Sequence, residues 1–269
     1  MTARRSKCWS IPSCWTFCWP DGQRNFDWPM TDPRILGFII RFYFALIVPF
    51  LLASAGMRLL LSEQFLQLAY QRPGFPSDIY GFTMVDRLQY GPLAIDYLFN
   101  GEPIDYLAAL RLPGGKCWNT EAGAADCALF SDRELRHMAD VKQITTTIFA
   151  LAVAVLLLSV MIAIANRCNA RLPSDIRAGL RRGCLLALLS LLCLAVLSTA
   201  SWDRAFDIFH ELFFAEGTWR FPYSDSLIRL YPEQLFTEAA FALAMFIFLF
   251  AGLILVLLAI FERRPRRRI

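Results

Sequence analysis

The chain has 269 residues, 57% of them hydrophobic, with a mean hydropathy of +0.43 and a formal net charge of +4. A soluble domain sits nearer half apolar. Here the excess lies in long uncharged runs, so the composition excludes an ordinary soluble globule and points to a membrane protein. The basic residues fall in short tracts beside those runs, which argues against nucleic-acid binding.

In chain order, residues 1–33 come first. They hold Cys8, Cys14 and Cys18 among four tryptophans, with no helical or strand period. A zinc site would need close cysteine pairs with further ligands, and the spacing supplies neither. The segment reads as a cytoplasmic leader, an upstream extension or a disordered tail, with no assigned function. Apolar runs then follow at about Ile35–Leu61, Ile144–Ala165, Cys184–Ser201 and Phe236–Phe261. Each is about the length a helix needs to cross the hydrocarbon core. Arg41 and Arg58 near the ends of the first run can snorkel to the headgroups, and Pro49 is expected to kink that helix.

Charge sets the orientation. Arg4, Arg5, Lys7, Arg24 and Arg34 precede the first run; Arg167, Arg171, Arg177, Arg181 and Arg182 lie between the second and third; five arginines from Arg263 to Arg268 follow the fourth. All three clusters belong on the cytoplasmic side. The fold expected is an all-α membrane protein with four transmembrane helices and both termini cytoplasmic. One membrane domain spans 34–262, with an outer cap at 62–143, an outer loop at 202–235 and a basic tail at 263–269.

The cap is too long for a bare connector. Turn signals at Arg72-Pro73-Gly74, Asn100-Gly101 and Pro113-Gly114-Gly115 divide it, and short helices with short strands are expected. Cys117 and Cys127 fall on the extracytoplasmic side, where a disulfide can persist, and they are expected to pair. Ser131-Asp132-Arg133-Glu134 carries the capping-box pattern that starts a helix. That helix, from Asp132 to Lys142, has no Gly or Pro before the second run and is expected to continue into it. Further on, Phe206 to Phe214 and Trp219-Arg220-Phe221 form an aromatic segment with sparse charge, suited to the membrane interface. Arg229 and Glu233 are four apart and could pair, with Pro232 between them.

The two histidines of the chain, His137 and His210, fall at one depth. His137 lies seven residues before Ile144, or ~10 Å along a helix, and His210 nine residues after Ser201, or ~13 Å. Arg133, His137 and Asp140 share a helix face. Asp207 stands one turn before His210, among phenylalanines. A greasy surrounding favours neutral imidazole, the form that accepts a proton. The residues leave several readings open. One is acid–base work on a lipid ester. Another is a metal or haem site completed by Asp140, Asp207 or Glu211. A third is a structural role, and a fourth is a non-enzymatic protein that binds a lipid or partner at its outer face.

Two stretches carry a family resemblance: Arg133-Glu134-Leu135-Arg136-His137-Met138-Ala139-Asp140-Val141-Lys142, and Phe209-His210-Glu211-Leu212-Phe213-Phe214 with Trp219, Asp225 and Leu227 to Glu233 downstream. Together they resemble the bacterial lipoprotein intramolecular transacylases, Lit, over about residues 34–262. The resemblance implies an acyltransferase of the cytoplasmic membrane that works at its extracytoplasmic face. It would move the sn-2 ester chain of a diacylglyceryl lipoprotein to the α-amine of the lipidated cysteine. The partners would be that lipoprotein and membrane lipids, with no cofactor or metal. The family's essential histidines would fall on His137 and His210. Arg133, Arg87, Tyr90 or a backbone amide are candidates to stabilise the oxyanion and Asp140 or Asp207 to orient a histidine; Trp219 is either a further supporting residue or an interfacial anchor.

Overall fold

The computed structural model describes residues 33–112, 127–165, 172–215 and 217–263. Several expectations lie outside them: those on the leader, on Pro113-Gly114-Gly115, on Arg167 and Arg171 between the second and third runs, and on the tail arginines after Arg263. The Cys117–Cys127 pairing also lies outside, because Cys117 is one of the residues not described.

Among the described residues, four helices are long and apolar enough to cross a membrane: α1 (Pro33–Leu60), α5 (Asp132–Ala165), α6 (Leu172–Ala200) and α9 (Glu233–Arg263). Between α1 and α5 lie α2 (Glu63–Tyr70), α3 (Met84–Phe99) and α4 (Asp105–Ala108). Between α6 and α9 lie α7 (Trp202–Phe213) and α8 (Ser226–Leu230). The all-α membrane architecture is as expected. The expected short strands are replaced by one isolated antiparallel bridge among the described residues, Arg111 to Ala128. Leu112 N–H donates to the Cys127 carbonyl at 2.8 Å, so backbone pairing ties Arg111–Leu112 to Cys127–Leu129 without extending into a ladder.

Helix α1 packs on α6, α9 and α5. Its closest approach, to α6, depends on two glycines one turn apart. A Cβ on Gly179 would stand 2.7 Å from Phe44 Cβ, and one on Gly183 2.6 Å from Val48 Cβ. Small residues at i and i+4 let helix backbones approach in lipid, where dispersion rather than water exclusion drives association. Leucines such as Leu156 and Leu157 on α5 and Leu189 and Leu192 on α6 are exposed, as a lipid-facing surface should be.

Helix α6 begins well before the expected Cys184. Its first turns contain Asp175, Arg177, Arg181 and Arg182, which lower the local hydropathy, but the structure finds partners for two of them. Asp175 stands 3.3 Å from Arg41, and Arg181 pairs with Glu262. Arg41 is therefore ion-paired as well as placed near the helix end, and its Nε also donates to the Gly37 carbonyl. Arg58 lies over the Phe99 ring at 4.1 Å and donates to the Leu61 carbonyl. Helix α5 runs unbroken from Asp132, as the absence of helix breakers predicts.

At one end of the bundle, α2, α3, α4, the first turns of α5, and α8 share a compact apolar core. Leu66, Tyr70, Tyr90, Leu107, Leu129 and Leu230 sit within it. Helix α3 opens on a reciprocal capping box between Thr83 and Asp86. The segment around α8 is fastened to this cap by buried polar contacts. Tyr70 Oη donates to the Leu230 carbonyl at 2.7 Å, Tyr231 Oη to the Gly91 carbonyl, and Arg87 Nε to the Arg229 carbonyl. Arg229 pairs with Asp78 at 3.0 Å, with both side chains almost fully buried. Its expected partner Glu233 lies beyond Pro232, at the start of α9.

Candidate active site

Two consecutive residues of α5 hold the start of α8. Arg133 binds Asp225 at 2.7 Å. Glu134 closes the expected capping box, accepting from Ser131 N–H at 2.7 Å and Ser131 Oγ at 2.9 Å through Oε2. Its other oxygen, Oε1, accepts from Leu227 N–H at 2.6 Å, across 93 residues of chain. The α7–α8 connection is thus drawn over the first turns of α5, one turn from His137.

Both histidines are 8% exposed. His137 packs against Phe214 and Phe221, with ring centroids 4.8 and 5.2 Å away. His210 lies against the same Phe214 at 5.8 Å, against Phe206 at 4.0 Å, and is stacked on Trp219 at 4.7 Å with 26° between planes. Phe214 is therefore common to both imidazoles, which are close enough for their charges to interact. The residues that sequence reasoning paired only by depth share one aromatic chamber.

His210 Nδ1 stands 2.8 Å from the Phe206 carbonyl. A carbonyl accepts, so Nδ1 carries the proton and Nε2 holds a lone pair in the neutral ring. Burial pushes the His210 pKa below the usual imidazole value, while the Phe206 carbonyl and the charge of Asp207 oppose that shift. The ring is thus neutral near pH 7 and ready to accept a proton. His137 Nδ1 and Trp219 Nε1 are buried with no hydrogen-bond partner. Polar atoms in that state are costly and rare, and two of them border the same chamber.

Residues 39–236 match the family described as lipoprotein intramolecular transacylase Lit. The chain belongs to that family. An uncharacterized protein of Aquifex aeolicus is 28% identical over 217 residues, covering 81% of this chain and 92% of that protein. Among solved structures, the membrane integral lipoprotein intramolecular transacylase Lit from Bacillus cereus superposes with a TM-score of 0.65 at 20% identity, over 87% of this chain and 98% of that one. A variant of that protein with one histidine changed to arginine gives 0.63 at 21% identity, over 87% and 95%. At such identities the structural likeness concerns the fold. Membership of Lit makes this chain a membrane-embedded transferase, as the two sequence stretches implied.

The remaining expected site residues of this Lit chain divide. Trp219 is at the site, stacked on His210. Arg133 is beside His137, its guanidinium held by Asp225 and lying over Phe221 at 5.6 Å. Asp207 pairs with Arg220 at 3.0 Å and acts on His210 through its charge rather than by a hydrogen bond. Asp140 is exposed and hydrogen-bonds to neither histidine. Arg87 and Tyr90 belong to the cap: Arg87 donates to the Arg229 and Pro76 carbonyls, and Tyr90 packs in the apolar core. Among the described residues no three His, Cys, Asp or Glu side chains converge as metal ligands. Sequence reasoning missed the second role of Glu134, the Arg133–Asp225 pair and Phe214 as the shared ring. The capping box was legible, but nothing local marks the far partner of its spare oxygen.

Proposed function

We propose that this chain moves the ester-linked acyl chain of a diacylglyceryl lipoprotein to the α-amine of its lipidated N-terminal cysteine, with His137 and His210 as the proton carriers. The observation that carries the reading is the shared chamber: two buried imidazoles on one phenylalanine, one with its tautomer set by a backbone carbonyl. His210 Nε2 takes the proton from the amine as its nitrogen attacks the ester carbonyl carbon. The tetrahedral adduct then breaks its bond to the glyceryl oxygen, and the imidazole pair returns a proton to that oxygen. The products are an N-acyl amide and a free glyceryl hydroxyl, so atoms and charge balance. Buried imidazoles suit this task because proton transfer is most effective from a base that is unprotonated at the working pH. Donor and acceptor belong to one substrate molecule, which removes most of the entropic cost of bringing them together.

The depth fits a lipid ester. His137 lies ~10 Å of helix before the uncharged run at Ile144, and the exposed apolar residues Phe209, Leu212 and Phe213 of α7 face outward beside His210. The distribution of arginines supports cytoplasmic termini and an extracytoplasmic cap in the cell membrane. The domain reading follows from it: one membrane domain over 34–262 between a cytoplasmic leader and a basic tail.

The test is expression of wild type, His137→Ala and His210→Ala in a host whose lipoproteins are diacylated. Mass spectrometry of a lipoprotein N-terminal peptide then reports the acyl position. Transfer to the amine by wild type and its loss in both variants is the expected result. Transfer by both variants would sink the histidine mechanism, and none by wild type would sink the substrate assignment.

A further inference from the structure

We propose that the indole N–H of Trp219 is the donor that holds the ester carbonyl oxygen as it becomes an oxyanion. The inference rests on the transacylase reading and supplies a part that reading lacks. A tetrahedral adduct puts negative charge on the carbonyl oxygen, and a preorganised donor aimed there is usually a large share of acyl-transfer catalysis. The charged candidates are engaged elsewhere: Arg133 with Asp225, Arg87 with two carbonyls of the cap.

Trp219 differs in three respects. It is 6% exposed, its Nε1 has no hydrogen-bond partner, and its ring is stacked on His210, the imidazole with its lone pair on Nε2. Phe206 touches both rings, at 4.0 Å from His210 and 6.0 Å from Trp219, and fixes their relation. The stacking puts the indole beside the imidazole that the amine and its ester would meet. The step adds no atoms: the N–H donates as the C=O becomes C–O⁻ and is released when the carbonyl re-forms. Trp202 provides an internal contrast. Its indole nitrogen is also buried without a partner, but it lies two helical turns before His210 and shares no ring contact with either histidine.

The experiment uses the full chain in vesicles with a diacylated lipopeptide. Trp219→Phe keeps an aromatic ring and removes the N–H; replacement of Trp219 by 3-benzothienylalanine keeps the shape and puts sulfur in place of N–H. The expected result is a fall in kcat of about 10²- to 10³-fold in both, the loss typical of one oxyanion donor. KM should stay within about threefold, and the acid limb of the pH profile should stay in place, since the stacked ring that buries His210 is retained. Trp202→Phe should leave kcat within about twofold. A kcat within about threefold of wild type in the benzothienyl variant overturns the proposal, as does a loss expressed wholly in KM. If Trp219→Phe fails to fold, the isosteric variant decides. A wild type inactive toward the lipopeptide removes the transacylase reading itself, and this inference falls with it.

Discussion

Replacing Glu134 by Gln changes one atom and tests whether α5 positions the site through its grip on α8. The carboxylate accepts through both oxygens, from Ser131 N–H and Oγ on one side and from Leu227 N–H on the other. Gln has one acceptor, so whichever way the amide is turned, its NH₂ faces a backbone N–H. Glu134 is fully buried, so the displaced N–H has no water to turn to. An unsatisfied buried donor costs about 1–3 kcal/mol. At roughly 2–4 °C per kcal/mol for a chain of this size, the melting temperature should fall by roughly 2–12 °C. If Leu227 is the group released, Asp225 and the segment bearing Trp219 and Phe221 lose their register over His137, and transfer should fall with stability. Glu134→Ala vacates both sides and should cost about twice as much. Melting in detergent and acyl transfer to a lipopeptide are the measurements. A Glu134→Gln protein that melts within 1 °C of wild type and transfers at the wild-type rate would refute the clasp.

Gly183→Ala should destabilise the chain by about 1–3 kcal/mol, because the new methyl meets Val48 Cβ at 2.6 Å and the Phe44 carbonyl at 2.9 Å. Gly252→Ala, with nothing within 4 Å of the added carbon, should melt like wild type, and equal effects at the two positions would contradict the packing account. Arg229→Met leaves Asp78 buried without its cation and should cost about 3–5 kcal/mol. Combining it with Asp78→Asn removes the stranded charge and should recover part of that loss, the amide still accepting from Phe82 N–H while its NH₂ replaces the acceptor of Tyr80 N–H; additive losses in the double variant would count against the pair. For pH, the rate should track neutral His210 multiplied by neutral amine. The amine, with an ordinary pKa near 8, gives a slope of one in log kcat/KM on its acid side. The slope should steepen to two only below the usual imidazole value of about 6.5, because burial lowers the pKa of His210. Asp207→Asn removes a charge that raises that pKa and should move the break to lower pH; movement to higher pH would show the sign to be wrong.

Hydropathy and charge determined the membrane architecture before any packing was known. An uncharged run such as Ile144–Ala165 has no stable state in water and must satisfy its backbone internally, which in lipid means a helix. The capping box at Ser131 and the continuity of α5 were legible for a similar reason, since both depend on neighbours within four residues. Local rules also placed His137 and His210 at one depth, because helix rise converts residue number into distance. They could not place the two rings on one phenylalanine. That depends on Glu134 reaching Leu227 across 93 residues, on Arg133 reaching Asp225, and on the Asp78–Arg229 pair fastening α8 to the cap. The early start of α6 was hidden in the same way: its charges read as loop until Arg41 and Glu262 answered them. Sequence fixes the period and depth of a residue through its own backbone. The partner of a buried polar atom is chosen only when distant segments meet, and in this chain those partners bring the two histidines together.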